Sequence, residues 1–288
     1  MIDIRNQYLH ITIKKAGAEL TSIHHQQNGI DYLWNGNPQF WSKHSPVLFP
    51  FVGTLKDNTY IFEGKPYSLP RHGFARDSVF QLLAHNETSA TFELRSDDET
   101  LANYPFRFSL KIHYALEDDK LIISYEVTNE GKGPMYFSIG GHPAFHVPLQ
   151  KGLSFKDYFL EFDTEETLEK WVLSEGLLKT HTEPFLNGQK KVPLTHKLFA
   201  NDAIVLKHPA SKYISLKSNA SKHGLKVRIE NFPYLGIWSA PEAPFVCIEP
   251  WQGITDSLYH NQKLEEKEGI VALDEGKTWQ QSWDITFW

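Results

Sequence analysis

The chain has a single cysteine, Cys247, among its 288 residues. One thiol forms no intrachain disulfide and builds no zinc ribbon. Such scarcity fits a reducing compartment. Positive charge is not in excess either: the formal net charge is -6 and the pI about 6.2. A general nucleic-acid binder needs a basic face, so that class is set aside. Long hydrophobic runs are also missing. The opening "MIDIRNQYLHITIKKAG" carries no apolar core of signal-peptide length, and no run approaches the roughly 20 residues that span a bilayer. The expectation is a soluble, cytoplasmic protein, monomer or homodimer, with no membrane or nucleic-acid partner. No Pro/Ser linker, compositional break or fixed-period repeat divides the chain, so one domain over residues 1–288 is expected.

What the chain does have is aromatics, 14% of residues with eight tryptophans. Aromatic residues favour strands, and most belong to a core. They also offer flat apolar faces to the C–H-rich faces of sugar rings. Period-two patterns run from end to end: 8–15, 89–96, 108–116, 120–129, 158–164, 202–208, 213–218 and 225–231. Turn chemistry separates them, in "KDN", "EDDK", "NEGKGP", "LNGQK" and "NASKHG". Helical periodicity is confined to two short candidates, 97–103 and 40–45. The charged stretch 261–269 reads as a solvated loop. Strands at this spacing without interleaved helices predict an all-β fold, a large antiparallel sandwich or barrel.

Three Gly/Pro-rich segments carry the chemistry. In "CIEPWQG" (247–253), Glu249 follows an apolar run and precedes Pro250. The proline restricts Glu249 to extended geometry, which predicts a carboxylate held at a strand end. Partial desolvation beside Trp251 moves such a group toward useful general-base values. In "GGHPAFH" (140–146), His142 is fixed by the proline after it, and an imidazole titrates near neutrality. In "RHGFARDS" (71–78), His72 stands among Arg71 and Arg76, donors suited to hydroxyls or anions. A metal centre drawing on His44, His72, His142 and His146 is the rival, but no H-x-x-x-H or H-x-H spacing joins them, and no metal is expected.

In order along the chain, "PVLFPFVG", "PRHGFARD", "GGHPAF" and "CIEPWQGITDS" resemble the motifs of the aldose 1-epimerase (galactose mutarotase-like) family, in its LacX-type branch. "YLWNGNPQFW" (32–41) and "NDAIVLKH" (201–208) extend the resemblance over nearly the whole chain. It implies a large antiparallel β-sandwich, the galactose mutarotase-like supersandwich, with an open sugar cleft and no cofactor. Position by position, it places the family's general base on Glu249, its general acid on His142 and its second active-site histidine on His72. Asp202, in "NDA", takes the place of the hydroxyl acceptor. Arg71, Arg76, Trp251 and Phe145 complete the candidate sugar contacts. One departure stands out. Where much of the family has an arginine after "FPFVG", this chain has Thr54, and Arg71 or Arg76 is the candidate replacement.

The activity so implied is interconversion of the α and β anomers of a hexose such as galactose or glucose. A proton leaves the C1 hydroxyl, another reaches the ring oxygen, and the ring closes on the other face. Because closure reverses the same transfers, the two groups exchange roles. Three alternatives remain open from residues alone. One is a carbohydrate-binding sandwich without chemistry, and another is an epimerase gripping a hexose phosphate with Arg71, Arg76 or Lys56. The third, a glycoside hydrolase or lyase, usually wants two carboxylates.

Overall fold

A computed structural model describes residues 1–288. All ladders between its strands are antiparallel: a 15-stranded sheet, a four-stranded sheet and two short ribbons. Alternation along the strands explains why. In Lys120–Asn129 the inward side chains are Leu121, Ile123, Tyr125 and Val127, and their register partners in Phe108–Glu117 are Leu116, Tyr114, Ile112 and Leu110. One face of the sheet is therefore apolar and must be covered. An open sheet this wide curls or splits into packed layers. Here Phe49, beside the edge strand Val47–Leu48, lies 5.1 Å from Phe108, near the opposite end of the strand order. The sheet is thus folded over a shared core as a sandwich, which the four-stranded sheet extends through Ile4, Leu9, Ile11 and Ile23.

The expected strands all form, one of the two expected helices forms, and the sequence signals fail in three informative places. The helix at 97–103 appears as Asp98–Asn103, capped by Asp97, whose carboxylate accepts from the Thr100 amide. Residues 40–45 are not helical. Their amides are claimed elsewhere: the Glu19 carboxylate accepts from the His44 and Ser45 N–H groups. "LNGQK" is no turn but part of the long strand Leu177–Pro193, where Gly188, at φ 67°, forms a bulge between Asn187 and Gln189. In 261–269 the loop is not fully solvated. Leu264 and Lys267 are buried, and Lys267 donates to the Asp256 carboxylate at 2.6 Å and to the Ile254 carbonyl at 2.7 Å.

That ion pair matters for position. Asp256 also accepts from the Lys56 amide, and its carbonyl accepts from the Leu178 amide. Leu178 belongs to a long hairpin, Tyr158–Ser174 with Leu177–Pro193, closed by Glu175 and Gly176 at φ 53° and 79°. The Thr255 hydroxyl bonds to the Gly176 carbonyl at 2.6 Å. Loop, hairpin tip and the 50s turn are thereby tied together beside the cleft described next.

Candidate active site

The strand Phe245–Gln252 forms the floor. Val246 and Ile248 point into the main core, whereas Cys247, Glu249 and Trp251 alternate onto the other face. Sequence reasoning places Glu249 at a strand end. The structure instead runs the strand through Pro250 to Gln252. Proline is tolerated there because of what lies alongside. Ile139–Gly141 and Ala144–His146 are two short strands paired to the same edge, with His142 and Pro143 between them. Ile248 N–H bonds to the Pro143 carbonyl at that edge, so the bond that Pro250 cannot donate falls two residues on, at the break.

Register then brings the acid and the imidazole together. Ala144 pairs with Cys247 and Gly140 with Trp251, so His142 stands opposite Glu249. His142 Nε2 lies 3.4 Å from Glu249 Oε2. Gly140 and Gly236 flank the Trp251 indole, and a Cβ on either would overlap it. His72 arrives from the turn after Pro70, at φ 69°, tied reciprocally to Gly53. Its amide donates to the Gly53 carbonyl at 2.8 Å, and its Nδ1 accepts from the Gly53 amide at 3.1 Å. Its Nε2 faces Arg71 Nε at 3.3 Å, so both ring nitrogens meet N–H donors, and a neutral ring, which carries one proton, can accept from only one of them at a time. The rings of His72 and His142 meet edge to face at 5.7 Å.

The cleft above these groups measures about 330 Å³ and is lined by Trp41, Arg71, His72, Arg76, His142, Asp202, Ala203, Trp238, Glu249 and Trp251. Asp202 sits at the rim, 3.8 Å from Arg71 Nη2, with its own carboxylate accepting from the Ala203 amide. Arg76 Nη2 donates to the Arg71 carbonyl at 2.9 Å, so one arginine braces the other. Of the residues expected from sequence, seven converge here and one does not. Phe145 is fully buried in the main core. It pairs with Val246, and that register position faces the interior of the sandwich, away from Glu249. Lys56 is also absent from the cleft, its Nζ donating to the His260 carbonyl.

Three lining residues lie outside that expectation, Ala203 beside Asp202 and two tryptophans. Trp238 pairs with Cys247 and so shares the face of Glu249, a relation visible only once the strands are aligned. Trp41 comes from an irregular segment and stacks on His142 at 4.9 Å and 28°. Its carbonyl accepts from the Trp34 indole, which fixes the loop. The four-histidine metal rival does not assemble. His44 approaches Glu19, and His146 packs edge-on against Trp34, away from the cleft.

Electrostatics follow from burial. Desolvation pushes the Glu249 carboxyl well above the usual carboxylate range, opposed by the positive charge of Arg71. Desolvation likewise lowers His142 to about 3. His72 is held well below its ordinary value by burial first, then by His142 and the two arginines. Burial therefore favours the uncharged arrangement, a carboxylic acid facing neutral imidazoles. A larger groove of about 420 Å³ crosses the strands at Thr91, Lys111, His113, Ser124 and Gln280. Its polar side chains are satisfied by one another, as in Lys111 with Glu126 and Thr91 with His113. In the cleft, by contrast, Glu249 Oε2, His142 Nδ1 and the Trp251 indole N–H are buried without partners. Groups left unpaired at such a cost mark the place where a polar ligand belongs.

An antiparallel sandwich whose cleft buries a carboxyl beside imidazoles under aromatic walls has the parts for proton transfer on a small polar ligand. The chain belongs to the aldose 1-epimerase family, whose model matches residues 1–272. It is 37% identical to the chromosomal LacX protein of Lactococcus lactis subsp. lactis over 99% of this chain and 98% of that one. Among solved structures, a galactose mutarotase related enzyme from Lactobacillus acidophilus superposes with a TM-score of 0.94 at 32% identity, covering 99% and 96% of the two chains. A galactose mutarotase-like protein from Lactobacillus casei gives 0.94 at 31%, covering both chains completely. The protein is an epimerase-type isomerase acting on a sugar, and no helix in it is long and apolar enough to cross a membrane.

Proposed function

We propose that the protein interconverts the α and β anomers of a hexose such as galactose or glucose by acid–base ring opening at Glu249 and His142. The observation that carries this reading is their 3.4 Å approach on the cleft floor. Burial rests the pair as acid and neutral imidazole, and transfer of one proton across that gap gives carboxylate and imidazolium. Sugar hydroxyls and Arg71 offset the charges so formed. Glu249 then takes the proton from the C1 hydroxyl while His142 gives one to the ring oxygen, and the C1–O bond opens. After rotation about C1–C2 the aldehyde is attacked from its other face, with both transfers reversed. His72, beside Arg71, supports the ring oxygen. Asp202 accepts from a hydroxyl, Trp251 offers its face to the ring, and the arginines orient the sugar. No covalent nucleophile is required.

The test is anomer exchange followed by polarimetry or NMR on a panel of free and phosphorylated hexoses. Acceleration of a free hexose over buffer supports the reading, and a folded protein that accelerates none of the panel rejects it. Arg71 and Arg76 together in one cleft favour a second reading, a hexose phosphate as substrate. A preference in kcat/KM for the phosphorylated sugars would select it.

A further inference from the structure

One buried group next to the acid–base pair has no part in the chemistry above. Cys247 lies two residues before Glu249 on the same face of the floor strand and pairs with Ala144, two residues beyond His142. One donor atom from each of His142, Cys247 and Glu249 lies within 4.8 Å of the other two, and all three residues are buried. The thiol belongs to a small apolar cluster with Trp34, Ala144, Ala240, Ala243 and Phe245. Glu249 Oε2, on a side chain only 2% exposed, has no hydrogen-bond partner.

We infer that Cys247, His142 and Glu249 form an inhibitory binding site for a thiophilic divalent cation, with Zn²⁺ the best match. The donor set decides the class. Ca²⁺ and Mg²⁺ want oxygen ligands, whereas one sulfur, one imidazole nitrogen and one carboxylate oxygen suit zinc. Bonds of about 2.0–2.3 Å in a tetrahedron place donors roughly 3.3–3.8 Å apart. The His142–Glu249 separation of 3.4 Å already meets that spacing. The sulfur lies within 4.8 Å of both other donors. Three protein donors leave the fourth tetrahedral position to water. Binding releases the thiol proton and any proton on Glu249, and it occupies the lone pairs that ring opening needs. The ion competes with turnover instead of assisting it. The inhibition rests on the proposed acid–base reading; the binding does not.

The experiment separates the two. Chelator-treated protein is titrated with Co²⁺, and a thiolate-to-cobalt charge-transfer band in the near ultraviolet is expected. Cys247 is the sole cysteine, so no surface histidine cluster can produce that band. Zn²⁺ is then titrated during anomer exchange, with inhibition expected, reversed by EDTA and relieved by saturating sugar. Cys247→Ser should keep the metal-free rate, lose the band and need at least tenfold more Zn²⁺ for half inhibition. If that variant misfolds, the wild-type cobalt spectrum alone decides the binding. Absence of the band, or zinc inhibition unchanged in Cys247→Ser, overturns the inference. A band in a protein with no epimerase activity leaves the metal site standing and removes the acid–base reading.

Discussion

His142 and Glu249 occupy opposite register positions on neighbouring strands, and this alone sets their side chains 3.4 Å apart on one face. Because the backbone holds the geometry, replacing the carboxyl leaves the fold intact. Glu249→Gln keeps the shape and cannot accept a proton, so epimerisation should fall more than about a hundredfold. Initial rates by polarimetry on the purified, folded variant check this. Turnover near that of the parent would remove Glu249 from the mechanism.

The same variant makes a stability prediction of opposite sign. In an unfolded chain the carboxyl ionises near about 4.3, whereas burial keeps Glu249 protonated to higher pH in the folded state. The folded form then binds more protons between those values, so stability falls as pH rises through that window. Glu249→Gln abolishes the loss. Its Tm should exceed the parent's at about pH 7, with the advantage gone by about pH 4. His142 acts from the other side. Its pKa is lowered to about 3 against about 6.5 unfolded, so it costs stability as pH falls through that range, and His142→Asn should flatten the acid limb. Equal Tm differences at both pH values would contradict the buried carboxyl.

His142→Asn should lose most activity, His72→Asn less. His72 is a neutral ring held between Gly53 and Arg71, a position that an amide partly reproduces. Both variants should retain weak sugar binding through Trp251 and the rim residues, measurable by tryptophan fluorescence or calorimetry. EDTA should leave the parent's rate unimpaired. If a chelator abolished activity and zinc restored it, the histidines would be ligands in catalysis and the acid–base assignment would fail.

Arg71 and Thr54 border the same glycine. A Cβ on Gly176 would meet Thr54 Oγ1 at 2.8 Å and Arg71 Nη1 at 3.5 Å. The Arg71 guanidinium thus reaches the neighbourhood in which the family's arginine would start at position 54. Arg71→Ala should raise KM more than it lowers kcat, the mark of lost ground-state binding. Thr54→Arg in that background should recover part of the affinity. An unchanged KM on every sugar tested would make Arg71 a solvated surface residue.

Phe145 and Trp251 test the two faces of the site strands. Phe145→Ala should cost about 3–5 kcal/mol in chemical denaturation, as large-to-small changes in a core do, without moving KM. Trp251→Ala should raise KM for the sugar. The reverse pattern would mean that the face assignment is wrong.

The alternating strands, the short helix within 97–103 and the titratable residues Glu249 and His142 could all be read along the chain, because period-two burial and the X-Pro restriction are local properties. The carboxylate at Glu249 and imidazoles at His72 and His142 were recognisable as chemistry before any strand was paired. That they share one cleft is implied by the family resemblance, and no local pattern gives their spacing. Which face Phe145 takes, why Pro250 sits inside a strand, how Trp41 and Trp238 wall the cleft, and why Lys267 is buried against Asp256 all depend on register and on long-range closure. A one-residue shift in pairing would turn Glu249 into the core and Phe145 into the cleft. Only the folded sandwich, by burying one face of each strand, selects between those two outcomes.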